Sequence, residues 1–167
     1  MKKFVCVFLI AVMLCSCSEK GITPKLLSTS FTAEMVYYNE KYSFSGKISE
    51  DGTLTAKITS PEDLADLVFI ITPEQTNVSY KGLTFSPVEG NMPFSSVMEE
   101  FYEPINEIAS SEAELLTDSN GKLTGVEERE YTFIFSSTGL PQQLLIPDES
   151  FSVVFYNQKI LNEDANE

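Results

Sequence analysis

The residue best placed to carry covalent chemistry is Cys17. It closes the string Leu14-Cys15-Ser16-Cys17, which follows the basic pair Lys2 and Lys3 and an apolar run from Phe4 to Leu14. A basic start, a short apolar middle and a small residue before the cut describe an export leader. The run is too short to remain as a spanning helix, which needs about 20 apolar residues. Cleavage behind Ser16 leaves Cys17 first in the mature chain, where its sulfur can carry acyl chains through a thioether. Cys15 is the poorer acceptor because bulky Leu14 precedes it, and Cys6 leaves with the leader. The bland alternative is an ordinary secretory leader cut after Ser16 or Ser18, with Cys17 incidental.

Other chemistry is sparse. The chain has no histidine and no tryptophan, and once the leader is gone it has no cysteine but Cys17. That removes nucleophile–histidine triads, structural zinc and disulfides. Glu62, Asp63 and Asp66 lack the spaced ligands and turn glycine of a calcium loop, so they read as a solvated loop. Arg129, set among Glu127, Glu128 and Glu130, reads as an ion-pair centre. Asn77-Val78-Ser79 matches a glycosylation sequon, which in a bacterial export setting reads as chance. Linear spacing assigns no two carboxylates the acid and base roles of a glycosidase. The expectation is a non-enzyme with no cofactor and no metal.

Charge narrows the partners. The whole chain carries a net charge of −14, and losing Lys2 and Lys3 takes it to −16. Such a chain is expected to be repelled by nucleic acid and by anionic headgroups, so membrane attachment is expected to rest on the acyl chains. The acidity itself reads as solubility in a crowded envelope.

The elements that would position any site are mostly strands. From Ser28 onward apolar residues recur at every second place, as in Phe31, Ala33, Met35, Tyr37 and then Tyr42, Phe44, Gly46, Ile48. Asp51-Gly52 marks a hairpin, and Leu54, Ala56, Ile58 continue the pattern, giving an antiparallel meander with one wet face. Val68 to Ile71 is apolar on both faces. Short strands follow at Asn77 to Lys81 and Leu83 to Ser86. A weak strand is expected around Ala113 to Thr117, then a hairpin at Asn120-Gly121, a strand through Tyr131, Phe133 and Phe135, and closing strands near Leu144 and at Phe151 to Tyr156.

One segment changes period. Phe94, Val97, Met98, Phe101, Tyr102, Ile105 and Ile108 recur at threes and fours, predicting a helix from Pro93, with Glu99, Glu100 and Glu103 on its solvated side. Pro104 is expected to kink or end it near Glu103. The domain plan is a leader at 1–16, a lipidated cysteine and tether at 17–27, one domain at 28–160 and an acidic tail at 161–167. About nine strands at about 4.8 Å make a sheet on the order of 43 Å wide, while one helix is about 10 to 12 Å across. The sheet is therefore expected to curl, either around a filled interior or around an apolar groove.

The strings Pro61-Glu62-Asp63-Leu64-Ala65-Asp66-Leu67-Val68-Phe69, Val78-Ser79-Tyr80-Lys81-Gly82-Leu83, Thr138-Gly139-Leu140-Pro141 and Val153-Val154-Phe155 resemble the LolA-like lipoproteins of Gram-positive bacteria, relatives of the outer-membrane lipoprotein carrier proteins. The likeness runs over roughly Phe31 to Tyr156. It implies a mainly β fold with minor α: a strongly curved antiparallel half-barrel with a helix on the concave side, able to hold acyl chains. Two departures stand out. The family's helix ahead of the first strand is reduced to Lys25-Leu26-Leu27, and the soluble carriers lack a lipidated cysteine.

The candidate concave lining is Phe31, Met35, Tyr42, Phe44, Phe94, Met98, Phe101, Tyr131, Phe133 and Phe135, for which ordinary core is the competing reading. The expected protein is anchored by lipid on the extracytoplasmic face of the cell membrane and binds a lipid or the acyl chains of a lipoprotein. The alternative is an accessory lipoprotein with a packed core that docks an envelope enzyme or assembly through its surface.

Overall fold

The computed structural model describes residues 22–86, 93–110, 118, 120–125, 130–147 and 150–161. The strands are β1 (Thr29–Tyr37), β2 (Glu40–Ile48), β3 (Leu54–Ser60), β4 (Val68–Ile71), β5 (Thr76–Tyr80), β6 (Leu83–Phe85), β7 (Lys122–Gly125), β8 (Tyr131–Phe135), β9 (Pro141–Ile146) and β10 (Phe151–Ile160). One helix, α1 (Pro93–Ser110), lies between β6 and β7. The ten strands form one antiparallel sheet in the order β6-β5-β4-β3-β2-β1-β10-β9-β8-β7. The first and last strands are thus neighbours in its middle, and the segment containing α1 leads from one edge to the other.

Alternation fixes the faces. Along β1, Phe31, Ala33 and Met35 are buried while Thr32 and Glu34 are exposed. Phe44 stands opposite Ala33, and Gly46 opposite Phe31. A Cβ on Gly46 would run into the Phe31 ring, so the missing side chain makes room for it. The chain turns from β2 to β3 at Ser49–Thr53, where the Ser49 amide donates to the Thr53 carbonyl at 2.9 Å. A short 3-10 turn at Glu62–Leu64 occupies the break in alternation before β4.

The apolar stripe of α1 packs on the inward face of the sheet. Val97, Met98, Phe101, Tyr102 and Ile105 are all buried there. The expected stop at Pro104 does not occur, and α1 continues to Ser110. Proline removes one backbone hydrogen bond, but Pro104 is itself buried and both flanking core residues, Phe101 and Ile105, are fully buried. Packing outweighs the local cost. Glu99 and Glu103 are exposed, whereas Glu100 is only half-exposed.

The segment expected to be a tether is docked along 22–27. The Lys25 amide donates to the Gly139 carbonyl at 2.7 Å, and Leu26 enters the core. Gly139 holds φ at +86°, and a Cβ there would strike the Thr23 carbonyl, so glycine permits the close approach. Leucine at 26 supplies the reason for docking, since a fully buried leucine gains about 1.5–3 kcal/mol over an exposed one. The weak strand expected at 113–117, Arg129 and the tail at 162–167 lie outside the described residues, as do Cys17 and the leader. A strand does follow Asn120-Gly121, at β7.

Candidate functional site

The candidate lining residues come together on the face that meets α1. Phe31, Met35, Phe44, Met98, Phe101, Tyr131, Phe133 and Phe135 are all buried members of one cluster, and half-buried Tyr42 packs against it. The Phe94 side chain lies outside the described residues. Phe101 of α1 meets rings from three strands: Phe44 at 5.4 Å, Phe155 at 6.0 Å and Phe31 at 6.5 Å between centroids. Phe155 continues the chain of rings to Phe133 at 5.8 Å, which stacks on Phe135 at 5.0 Å. These spacings are those of directly touching aromatic pairs. The middle of the inward face is filled by its own side chains.

Phe155 and Phe69 belong to this cluster but are absent from the sequence-derived set. Phe69 sits in Val68-Phe69-Ile70-Ile71, where apolar residues on both faces leave the inward phase unmarked, and Phe155 follows Val153-Val154, which blurs it. The signal that could have found Phe155 was the spacing Phe151, Val153, Phe155, all buried.

The same face opens at the β6 edge. Val78 is fully buried and stands opposite Phe85, and Tyr80 stands opposite Leu83. Leu83 and Phe85 therefore share the inward face with the core, yet they are 66% and 39% exposed. Lys81 joins this lip, its ammonium 5.0 Å from the centre of the Tyr80 ring. An exposed apolar strip continuous with a core, with a cation beside it, has the chemistry to meet an anionic amphiphile.

On α1 the Tyr102 hydroxyl is buried and has no hydrogen-bond partner among the described residues. Burial raises its pKa above the usual phenol value, and the carboxylates of Glu74 and Asp51 push it the same way. The loop carboxylate Asp66 behaves oppositely: Lys57, bonded to it at 2.8 Å, holds its carboxyl below the usual range, with Lys81 adding to the effect. Among the described residues no group of three or more acidic, histidine or cysteine side chains converges as a metal site.

The outer face is wetter. A shallow depression there is lined by Thr32, Glu34, Ser43, Ser45, Thr59 and Tyr156. No helix among the described residues is long and apolar enough to cross a membrane. Compared with known proteins, the chain matches no family model and no curated sequence.

Proposed function

We propose that this chain is a non-enzymatic envelope lipoprotein, anchored at Cys17 on the extracytoplasmic face of the membrane, that takes up an acyl chain between α1 and the β5–β6 end of a LolA-like half-barrel. The curvature is supported by size. Ten strands laid flat would span about 48 Å against a helix about 10 to 12 Å across, yet inward residues of every strand but β6 are buried. A sheet wrapped around α1 and the Leu26 segment accounts for that.

The observation carrying the acyl-chain reading is the lip. Leu83 and Phe85 extend the buried apolar face into solvent, and Lys81 beside Tyr80 offers a charge partner for a carboxylate or phosphate head. Each methylene buried there gains about 0.8 kcal/mol. The ligand site thereby moves from the middle of the sheet, where the rings act as core, to its β6 edge.

The packed ring cluster favours a second reading, an accessory lipoprotein with a solid interior that docks an envelope protein through its surface. Native mass spectrometry of the full chain after mild extraction separates the two. Acyl-chain uptake predicts co-purifying lipid that is lost in the Leu83→Ser/Phe85→Ser variant. A protein that carries no lipid and takes up no fluorescent fatty acid supports the accessory reading.

A further inference from the structure

The strands segregate charge in a way the net value hides. Lys41, Lys47, Lys57, Lys122 and Lys159 are all exposed on the outer face of the sheet. Within the described strands Glu34 is the carboxylate that shares this face, and Asp66 reaches Lys57 from the neighbouring turn. The other described carboxylates sit on α1, at the first residue of β2, or in turns and loops. Lys47 and Lys159 flank Ser30 in one row across β2, β1 and β10. Two strand spacings, about 10 Å, separate them.

Beside the hydroxyls of its middle, the outer face also carries apolar side chains. Val36, Ile134, Leu145 and Val154 are half-exposed, and Tyr156 is 44% exposed. Leu145 lies diagonally from both Ile134 and Val154 across β8, β9 and β10. Lysines around half-exposed aliphatics and a tyrosine suit an interface between water and lipid headgroups.

We propose that this outer face seats on an anionic phospholipid bilayer, so that the protein lies in a fixed orientation with α1 and the β6 lip turned to water. The inference rests on the anchored reading above. Four residues lie between Cys17 and docked Ile22, and the five steps across them make a leash of at most about 18 Å, so a bilayer holding Cys17 is the nearest large surface. At physiological salt, charges farther than about 8 Å are largely screened, so the lysine face meets that surface while the acids of α1, on the opposite side, count for little. The expected repulsion of the whole acidic chain from anionic headgroups does not apply to this face.

The experiment is lysine footprinting of the full chain, purified from membranes and placed on two kinds of vesicle: phosphatidylcholine alone, and phosphatidylcholine with about one quarter phosphatidylglycerol. An amine-acylating reagent is applied and each lysine is read by mass spectrometry. Lys47, Lys57 and Lys159 are expected to react roughly fivefold more slowly on the anionic vesicles. Salt at about 0.5 M should erase the difference.

The Lys47→Glu/Lys159→Glu variant changes exposed side chains only and should lose the protection at Lys57. Equal lysine rates on the two vesicles, with the protein bound to both, overturn this inference and leave the anchored reading standing. Protection that persists on pure phosphatidylcholine and grows with protein density also overturns it, pointing to contacts between copies. A chain that leaves both vesicles overturns the anchored reading and this inference with it.

Discussion

Phe101 and Tyr102 are adjacent on α1, and both are buried in its packed face, yet they do opposite things to stability. Phe101 has no exposed surface and touches rings of β1, β2 and β10, so Phe101→Ala should cost about 3–5 kcal/mol in denaturant unfolding. Tyr102 buries an oxygen that finds no hydrogen-bond partner among the described residues. Its raised pKa means that folding favours the neutral phenol. That stabilisation is present below the ordinary value of about 10 and is lost as pH climbs through the higher folded value. Tyr102→Phe should remove this alkaline loss and, at neutral pH, leave stability unchanged or raise it by about 1 kcal/mol, as read from unfolding midpoints across pH. The sequence displayed both residues through helical spacing. It could not display the orphaned hydroxyl, because that depends on what the β2–β3 and β4–β5 turns bring nearby.

Period two made most strands readable, and β1, β2 and β3 appear where alternation placed them because each has one wet face. Elements without that contrast were harder. The segment at 22–27 contains too few residues to show any period, so its polar flanks suggested a tether. In the structure, Leu26 is core and the Lys25 amide is bonded to the β8–β9 turn. Leu26→Ala should therefore destabilise the domain by about 2–5 kcal/mol, whereas a true tether residue would change the unfolding midpoint hardly at all. At Pro104 a local rule predicted a kink or an end, and the end does not come because burial on both sides overrides it. The candidate site was legible as a set of inward residues, but alternation cannot tell a filled face from an open one. Only the position of β6 at the sheet edge separates Leu83 and Phe85 from the rest.

Taken whole, the molecule has a wall of strands with lysines on its outer face and, against the inner face, a helix whose Glu99 and Glu103 are exposed. The proposed anchoring by one modified sulfur makes a simple prediction: Cys17→Ala should leave the unfolding midpoint unchanged while moving the protein from the membrane pellet to the soluble fraction. A variant that still pellets contradicts the anchor. The central pairing of β1 with β10 carries a consequence for biogenesis. The strand that begins the sheet finds its second neighbour only when Phe151–Ile160 has been delivered. In a chain made amino end first, one flank of β1 stays bare and open to wrong partners until Phe151–Ile160 is available. Sequence-distant closure of this kind is slow, and losing the final strand would leave β1–β6 and β7–β9 as two unjoined sheets.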